Sequence, residues 1–132
     1  MNVYGSRWIR PEKRKRVYER DDFRCLWCTR DLRFVAQRER TLDHVLPRER
    51  GGTNDAHNLI TSCLSCNSKR QHMVAIHFAY LIAERGLSGT QAPQRVVAQR
   101  AGIILARILD AVLTELPRQV SIDMSRAVKR PA

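Results

Sequence analysis

The chain has 132 residues, of which 43% are hydrophobic, and this is enough for one domain with a modest core. Its 24 lysines and arginines outnumber 13 acidic residues, and the formal net charge of +11 favours a polyanionic partner, above all nucleic acid. The most apolar window, 103–109, is far shorter than a membrane span, and no apolar leader follows Met1. We therefore expect no membrane partner and a cytoplasmic location in a bacterium or a phage-infected host cell.

Basic residues are concentrated near both ends of the chain. Residues 7–20 contain seven basic side chains against two acidic ones, with Arg14, Lys15 and Arg16 in succession, and the tail 117–132 adds four against one. We predict that both segments contact nucleic-acid phosphates. The alternative is that they are solvated or flexible termini.

The first predicted elements are a short helix and a hairpin. The basic helix begins at Pro11 and ends near Asp21. Residues 41–45 alternate in polarity and predict a strand, with residues 58–62 as its antiparallel partner. The segment between them, 46–57, is predicted to be a polar loop.

Two longer helices are predicted downstream. No helix breaker occurs between Cys63 and Gly86, which predicts one continuous helix from the second cysteine pair onward. After a linker over 86–93, residues 94–116 are predicted to form a second helix with one apolar face. Because the first helix is apolar on nearly all sides, we expect a helical hairpin whose remaining surface is compatible with a homodimer.

The four cysteines of the chain form two Cys-x-x-Cys pairs, Cys25 with Cys28 and Cys63 with Cys66. This spacing is typical of a tetrahedral zinc site, which would pin the chain before the hairpin to the start of the next helix. The ion would serve folding, because a closed four-thiolate site has no open position for a substrate. Reduced, buried cysteines without a metal are the alternative.

The residues between and after the cysteine pairs resemble the motif of the HNH endonuclease family. The pattern is Cys-x-x-Cys, Asp-His, Gly-Gly, Asn-Leu and Cys-x-x-Cys-Asn with a following Lys, and it occurs in that order within residues 20–70. The resemblance implies an α+β fold: a small ββα-metal core stapled by the four-cysteine zinc site, with an N-terminal basic helix and a C-terminal helical hairpin. We expect a single domain, 1–132, with the nuclease core at 20–70, a helical extension at 71–116 and a flexible basic tail at 117–132.

The resemblance also implies roles for four residues. His44 corresponds to the general base that deprotonates the attacking water, and backbone in the loop ordered by Asn58 would hold its second ring nitrogen. Asp43 and Asn67 correspond to the ligands of a catalytic divalent cation, Mg²⁺ or Mn²⁺, with other divalent ions left open. Adjacent strand residues point to opposite faces, so Asp43 and His44 can share a site only if the strand bends or bulges there.

Four further residues near the motif are interpreted from their chemistry. Lys69 and Arg70 follow Asn67 on the predicted helix and are expected to contact phosphate. Trp27, inside the first cysteine pair, is expected to pack rather than to stack on a base. His57 is interpreted as a phosphate contact or a solvated loop residue rather than a second base.

Together these features predict a metal-dependent DNA endonuclease that hydrolyses phosphodiester bonds and leaves 5′-phosphate and 3′-hydroxyl ends, as the resemblance implies. Double-stranded DNA is the expected partner. Low sequence specificity is expected, with targeting left to a partner protein, because the sequence contains no specificity-reading motif. Two alternatives stay open: a non-catalytic, zinc-stapled DNA-binding module, and a nuclease directed at RNA.

Overall fold

The computed structural model describes residues 9–87 and 93–116. Within these ranges one two-stranded antiparallel sheet is combined with helices, which confirms the predicted α+β class. The elements are α1 (Pro11–Arg20), β1 (Arg40–His44), β2 (Leu59–Cys63), α2 (Leu64–Arg70), α3 (Ala75–Arg85) and α4 (Gln94–Leu113), with 3₁₀ turns at Gln37–Glu39, Arg48–Arg50 and Ala56–Asn58. The predicted basic tail, 117–132, and most of the predicted linker lie outside the described residues.

The hairpin of β1 and β2 carries most of the sequence motif. The strands pair without interruption from Arg40 opposite Cys63 to His44 opposite Leu59, so of the predicted alternatives, a bend or a bulge at Asp43 and His44, the bulge is absent. Asp43 and His44 nevertheless line one cavity. All five residues of β1 line this cavity, so residues from both faces of the strand reach it.

The basic helix α1 spans almost the predicted residues and is attached to the hairpin at its C-terminal end. The carboxylate of Asp21 accepts a hydrogen bond from the Thr61 N–H at 2.8 Å. Arg20 donates to the carbonyl oxygen of Leu59 at 2.7 Å. These contacts to β2 fix the position of the basic helix relative to the hairpin.

The helix predicted to run continuously from Cys63 is two helices. α2 ends at Arg70, Gln71 adopts φ = +51°, and α3 begins at Ala75. The Arg70 side chain turns inward at the break, where its Nε donates to the carbonyl oxygen of Met73 at 3.0 Å. The prediction of one helix is wrong because no glycine or proline marks this break, which instead accompanies the hydrogen bonds of a buried arginine.

α3 and α4 pack as the predicted helical hairpin. Phe78 and Ala79 of α3 share a core with Ile104 and Ile108 of α4 and with Trp27 from the first cysteine loop. The hairpin therefore rests on the loop that contains the first cysteine pair. α4 ends at Leu113, a little before the predicted end.

The exposed surface of α4 includes the apolar side chains of Ile103, Leu109 and Leu113. Such a surface is compatible with a homodimer, which stays a prediction.

Among the helices of the described ranges, none is long and apolar enough to cross a membrane.

Candidate active site and metal centre

The four cysteines meet where the first loop contacts the start of α2. Their sulfur atoms all lie within 4.8 Å of one another, and the Sγ atoms of Cys28 and Cys63 are 3.8 Å apart. Zinc–sulfur bonds of about 2.3 Å in a tetrahedron place neighbouring sulfur atoms about 3.8 Å apart. The cluster could therefore bind zinc with little rearrangement, and it joins the same two parts of the chain that the sequence predicts.

Backbone groups and neighbouring thiols stabilise charge on these sulfur atoms. The N–H of Cys28 donates to Sγ of Cys25 at 3.5 Å, and the N–H of Cys66 donates to Sγ of Cys63 at 3.4 Å. Hydrogen bonds with the Cys25 and Cys66 side chains lower the pKa of Cys28 to about 3. Hydrogen bonds with Cys25 and Cys28 in turn raise the pKa of Cys66. The cluster thus favours a thiolate, which is the form that binds metal.

A second site lies in a cavity of about 470 Å³ that is lined by the whole of β1 and by residues of the loop after it and of α2. Three of the four residues to which the resemblance assigns catalytic roles, Asp43, His44 and Asn67, line this cavity together. The first two come from β1, and Asn67 comes from the first turns of α2. The hairpin and the helix joined by the cysteine cluster therefore also meet at this cavity.

The carboxylate of Asp43 is held through one of its two oxygen atoms. Oδ2 accepts hydrogen bonds from Nε1 of Trp27 at 2.8 Å and from Nη1 of Arg70 at 2.9 Å. Burial raises the pKa of Asp43 above its ordinary value, whereas Arg70 and Trp27 act in the other direction and favour the charged form. Since both described hydrogen bonds go to Oδ2, Oδ1 is left for a cation.

The amide of Asn67 is oriented by the hairpin. Its Nδ2 donates to Oγ1 of Thr41 at 2.9 Å and to the carbonyl oxygen of Leu42 at 3.3 Å. This orientation uses the donor and leaves the amide oxygen for another contact. A carboxylate oxygen and an amide oxygen at one cavity are the hard ligands that Mg²⁺ and Mn²⁺ prefer, so the donor set fits the implied catalytic cation.

The imidazole of His44 is held by a side chain rather than by backbone. Its Nε2 lies 2.7 Å from Oδ1 of Asn54, in the loop between the strands. The backbone contact that the resemblance implied is replaced here by this amide contact. Because the amide oxygen can only accept, this contact favours the tautomer with the proton on Nε2, which leaves on Nδ1 the lone pair that a general base requires.

Asn58 orders the loop that contains Asn54 without lining the cavity. Its side chain accepts from the Leu46 N–H at 2.8 Å and donates to the carbonyl oxygens of Leu46 and Thr53 at 3.1 and 2.9 Å. The loop is tight at Gly52, where a Cβ atom would lie 1.7 Å from the Leu46 carbonyl oxygen. Asn58 therefore holds the loop at Leu46, where the loop begins, and at Thr53, which is next to Asn54.

The basic residues at the cavity differ in part from the predicted ones. Arg14 lines the cavity together with Arg40 and Arg48, which were not predicted. The predicted phosphate contact by Arg70 is wrong, because this side chain is 1% exposed and bound to Asp43 and to backbone carbonyl oxygens. Arg48 follows the Asp-His pair by four positions, and this closeness in the sequence could have indicated that it lies near the site.

The other predicted phosphate contacts are exposed and lie outside the cavity lining. Lys15 pairs with Glu19 on the surface of α1, and Arg16 pairs with Glu115 near the end of α4. Lys69 is exposed on α2. Their contacts with nucleic acid stay predictions.

Glu49 and His72 also line the cavity and were missed by the sequence analysis. They form an exposed pair with 3.4 Å between Oε1 and Nδ1. Glu49 belongs to the loop between the strands, whereas His72 lies in the break between α2 and α3. Only the fold brings them together, so no local pattern could have identified the pair.

Comparison with known protein families agrees with this geometry. The model of the HNH endonuclease family matches residues 25–80, a segment that includes both cysteine pairs, the hairpin and α2. Residues 25–80 belong to the HNH endonuclease family. The HNH segment continues beyond the predicted core into α3, and it leaves α1 and α4 outside. No curated protein matches the chain.

The match of residues 25–80 to the HNH endonuclease family supports nuclease activity in general and a nucleic acid as the substrate. It also agrees with the two candidate metal sites of the HNH segment. The cysteine cluster could bind zinc as a structural ion. The cavity lined by Asp43 and Asn67 offers oxygen ligands of the kind that a second, catalytic cation would need.

Proposed function

We propose that this protein is a metal-dependent DNA endonuclease that hydrolyses phosphodiester bonds. The observation that carries the proposal is the meeting of Asp43, His44 and Asn67 in one cavity. A carboxylate, an imidazole and an amide together supply the groups needed to bind a divalent cation and to deprotonate a water molecule. A module that only bound DNA would need positive charge but would have no use for this combination.

Asp43 and Asn67 would hold the catalytic cation, Mg²⁺ or Mn²⁺, through their two Oδ1 atoms. When bound, such a cation neutralises charge on the phosphate and on the departing 3′ oxygen. Two protein ligands leave several coordination positions to water and phosphate oxygens, which is the usual arrangement for Mg²⁺ at phosphoryl-transfer sites.

His44 would act as the general base through Nδ1. Asn54 holds Nε2 in its protonated state, so the ring cannot change its tautomer without losing that hydrogen bond. Nδ1 then accepts a proton from the water that attacks phosphorus in line with the leaving 3′ oxygen. Asn58 contributes indirectly because it orders the loop that carries Asn54. The expected products have 5′-phosphate and 3′-hydroxyl ends.

Arginine side chains at the cavity would bind the phosphates on either side of the scissile bond. Arg14 and Arg48 come from α1 and from the loop after β1, and both line the cavity. Arg40 also lines it, but its guanidinium already donates to backbone carbonyl oxygens. Arginine is suited to this task because its planar group donates two parallel hydrogen bonds to one phosphate. Double-stranded DNA is the proposed substrate, with Lys15, Arg16 and Lys69 as outer contacts.

The cysteine cluster would hold zinc in a folding role. All four sulfur atoms are needed for a closed tetrahedral site, which leaves no position for a substrate or a water molecule. Its contribution to the reaction is therefore mechanical: it joins the loop of Cys25 and Cys28 to the end of β2 and to the start of α2, the helix that carries Asn67.

Supercoiled plasmid DNA incubated with the full-length protein tests the proposed activity. We expect conversion to nicked or linear DNA with Mg²⁺ or Mn²⁺, and none when both ions are omitted or chelated, because the scissile phosphate then lacks its charge neutralisation. A structured RNA is treated in parallel. Plasmid binding without cleavage under every condition would support the non-catalytic module instead, and cleavage of RNA alone would redirect the substrate.

A further inference from the structure

Trp27 belongs to the cysteine loop and also reaches the candidate active site. It lies between Cys25 and Cys28 in the sequence and is 1% exposed. Its indole Nε1 donates to Oδ2 of Asp43 at 2.8 Å. One direct hydrogen bond therefore joins the loop that carries two zinc ligands to the carboxylate proposed to bind the catalytic cation.

Arg70 approaches the same carboxylate oxygen from the end of α2. Its Nη1 lies 2.9 Å from Oδ2 of Asp43 and also donates to the His44 carbonyl oxygen at 2.7 Å. Its guanidinium carbon lies 5.0 Å from the centre of the Trp27 ring, in a cation–π contact. Trp27 and Arg70 thus contact each other, and both donate a hydrogen bond to the same oxygen of Asp43.

We propose that Trp27 and Arg70 are positioning residues that fix Asp43 with Oδ1 toward the catalytic cation, so that the zinc loop sets the cation affinity of the active site. The proposal rests on the proposed function, since it concerns the cation that Asp43 would bind. A carboxylate without these donors can rotate about its side-chain bonds, and cation binding must then select one orientation. Partners of metal ligands commonly change metal affinity by about 10- to 100-fold when they are removed.

The two donors differ in their electrostatic effect on a cation. The positive charge of Arg70 orients Asp43 but also repels a second positive charge nearby. The indole N–H of Trp27 carries no net charge, so it orients the carboxylate without this opposing effect. Trp27 therefore gives the cleaner test, because its loss removes the orienting hydrogen bond without removing a positive charge near the cation.

The contacts of Trp27 allow its donor to be separated from its ring. The ring packs edge-on against Phe78 with 4.9 Å between centroids, and it stacks on Arg70. Trp27→Phe keeps one aromatic ring and removes the donor together with the second ring. Substitution of benzothienylalanine at the same position keeps the full two-ring shape as well, with sulfur in place of the N–H.

The test measures Mn²⁺ affinity of the full-length, zinc-loaded protein from the electron paramagnetic resonance signal of free Mn²⁺. For both replacements of Trp27 we expect about 10-fold weaker Mn²⁺ binding. Zinc content and melting temperature of the benzothienylalanine protein should stay close to those of the wild type. Phe78→Leu is the matched control: it loosens packing on the indole, so it should lower the melting temperature but leave Mn²⁺ affinity unchanged.

The outcome separates positioning from packing. Unchanged Mn²⁺ affinity in the benzothienylalanine protein would overturn the proposal, and so would an equal loss in Phe78→Leu. Asp43→Ala identifies the relevant ion, and Mn²⁺ binding that survives this substitution in full would also overturn the proposal. The readout does not use DNA cleavage: wild-type protein that binds Mn²⁺ through Asp43 but fails to cut plasmid contradicts the proposed function and leaves the positioning roles intact.

Discussion

Replacing His44 with alanine should lower DNA cleavage by about 10²- to 10⁴-fold, the usual contribution of a general base. The substitution removes Nδ1, the group proposed to accept the proton of the attacking water. DNA affinity should stay nearly unchanged, because Arg14 and Arg48 are untouched and Asp43 and Asn67 can still bind the cation. Single-turnover cleavage of a labelled duplex, together with a separate binding titration, measures the two effects.

His57→Ala is the matched control for this substitution. His57 is exposed in the same loop, follows the Asn54 contact by three positions and does not line the cavity. We expect His57→Ala to retain cleavage within a small factor of the wild-type rate. Equal losses in the two variants, or wild-type cleavage by His44→Ala, would contradict the assignment of His44 as the base.

Replacing Cys63 with serine should abolish zinc binding and unfold the protein. Cys63 is the last residue of β2 and the N-cap of α2, and its sulfur lies 3.8 Å from that of Cys28 in the cluster. Structural zinc sites supply apparent binding free energies of about 10–16 kcal/mol. Whole domains are stable by only about 5–15 kcal/mol, so the remaining contacts cannot offset the loss. Zinc content by mass spectrometry and thermal melting by circular dichroism give the readout.

Ser65→Ala provides the comparison within the same turn. Ser65 is exposed between Cys63 and Cys66, and its substitution should change neither zinc content nor melting. If Cys63→Ser instead melts cooperatively near the wild-type temperature, the cysteines do not depend on zinc, and reduced cysteines without a metal become the better description.

The hairpin, the first helix and the meeting of the cysteines could be predicted because their signals are local. Pro11 marks the start of α1, alternation of polarity marks β1, and the spacing of each cysteine pair fits one metal. The resemblance to the HNH family then placed Asp43, His44 and Asn67 at one site, and the structure brings these three side chains to one cavity.

The failures concern residues whose partners are distant in the sequence. Arg70 looks like a surface residue on a basic helix, yet its guanidinium is buried against Asp43, 27 positions earlier. The break after α2 accompanies these buried contacts of Arg70 and contains no glycine or proline, so the local sequence does not mark it. Asn54 was not predicted to hold His44, because its contact depends on how the loop folds back over the end of β1.

Trp27 illustrates a partly successful prediction. Its burial and packing were expected from its position inside the first cysteine pair, and it contacts Phe78 in the core. Its hydrogen bond to Asp43 could not be foreseen, because the indole N–H can serve many acceptors and the sequence does not specify the distance between the loop and β1.

The central claim is that one divalent cation binds between Asp43 and Asn67, next to His44. Anomalous diffraction from Mn²⁺, in crystals of the full-length protein with a short DNA duplex, tests this claim most directly. We predict a manganese peak within bonding distance of the two Oδ1 atoms, with a phosphate oxygen of the duplex among its ligands. A peak elsewhere, with Asp43 and Asn67 making no contact to the ion, would contradict the account.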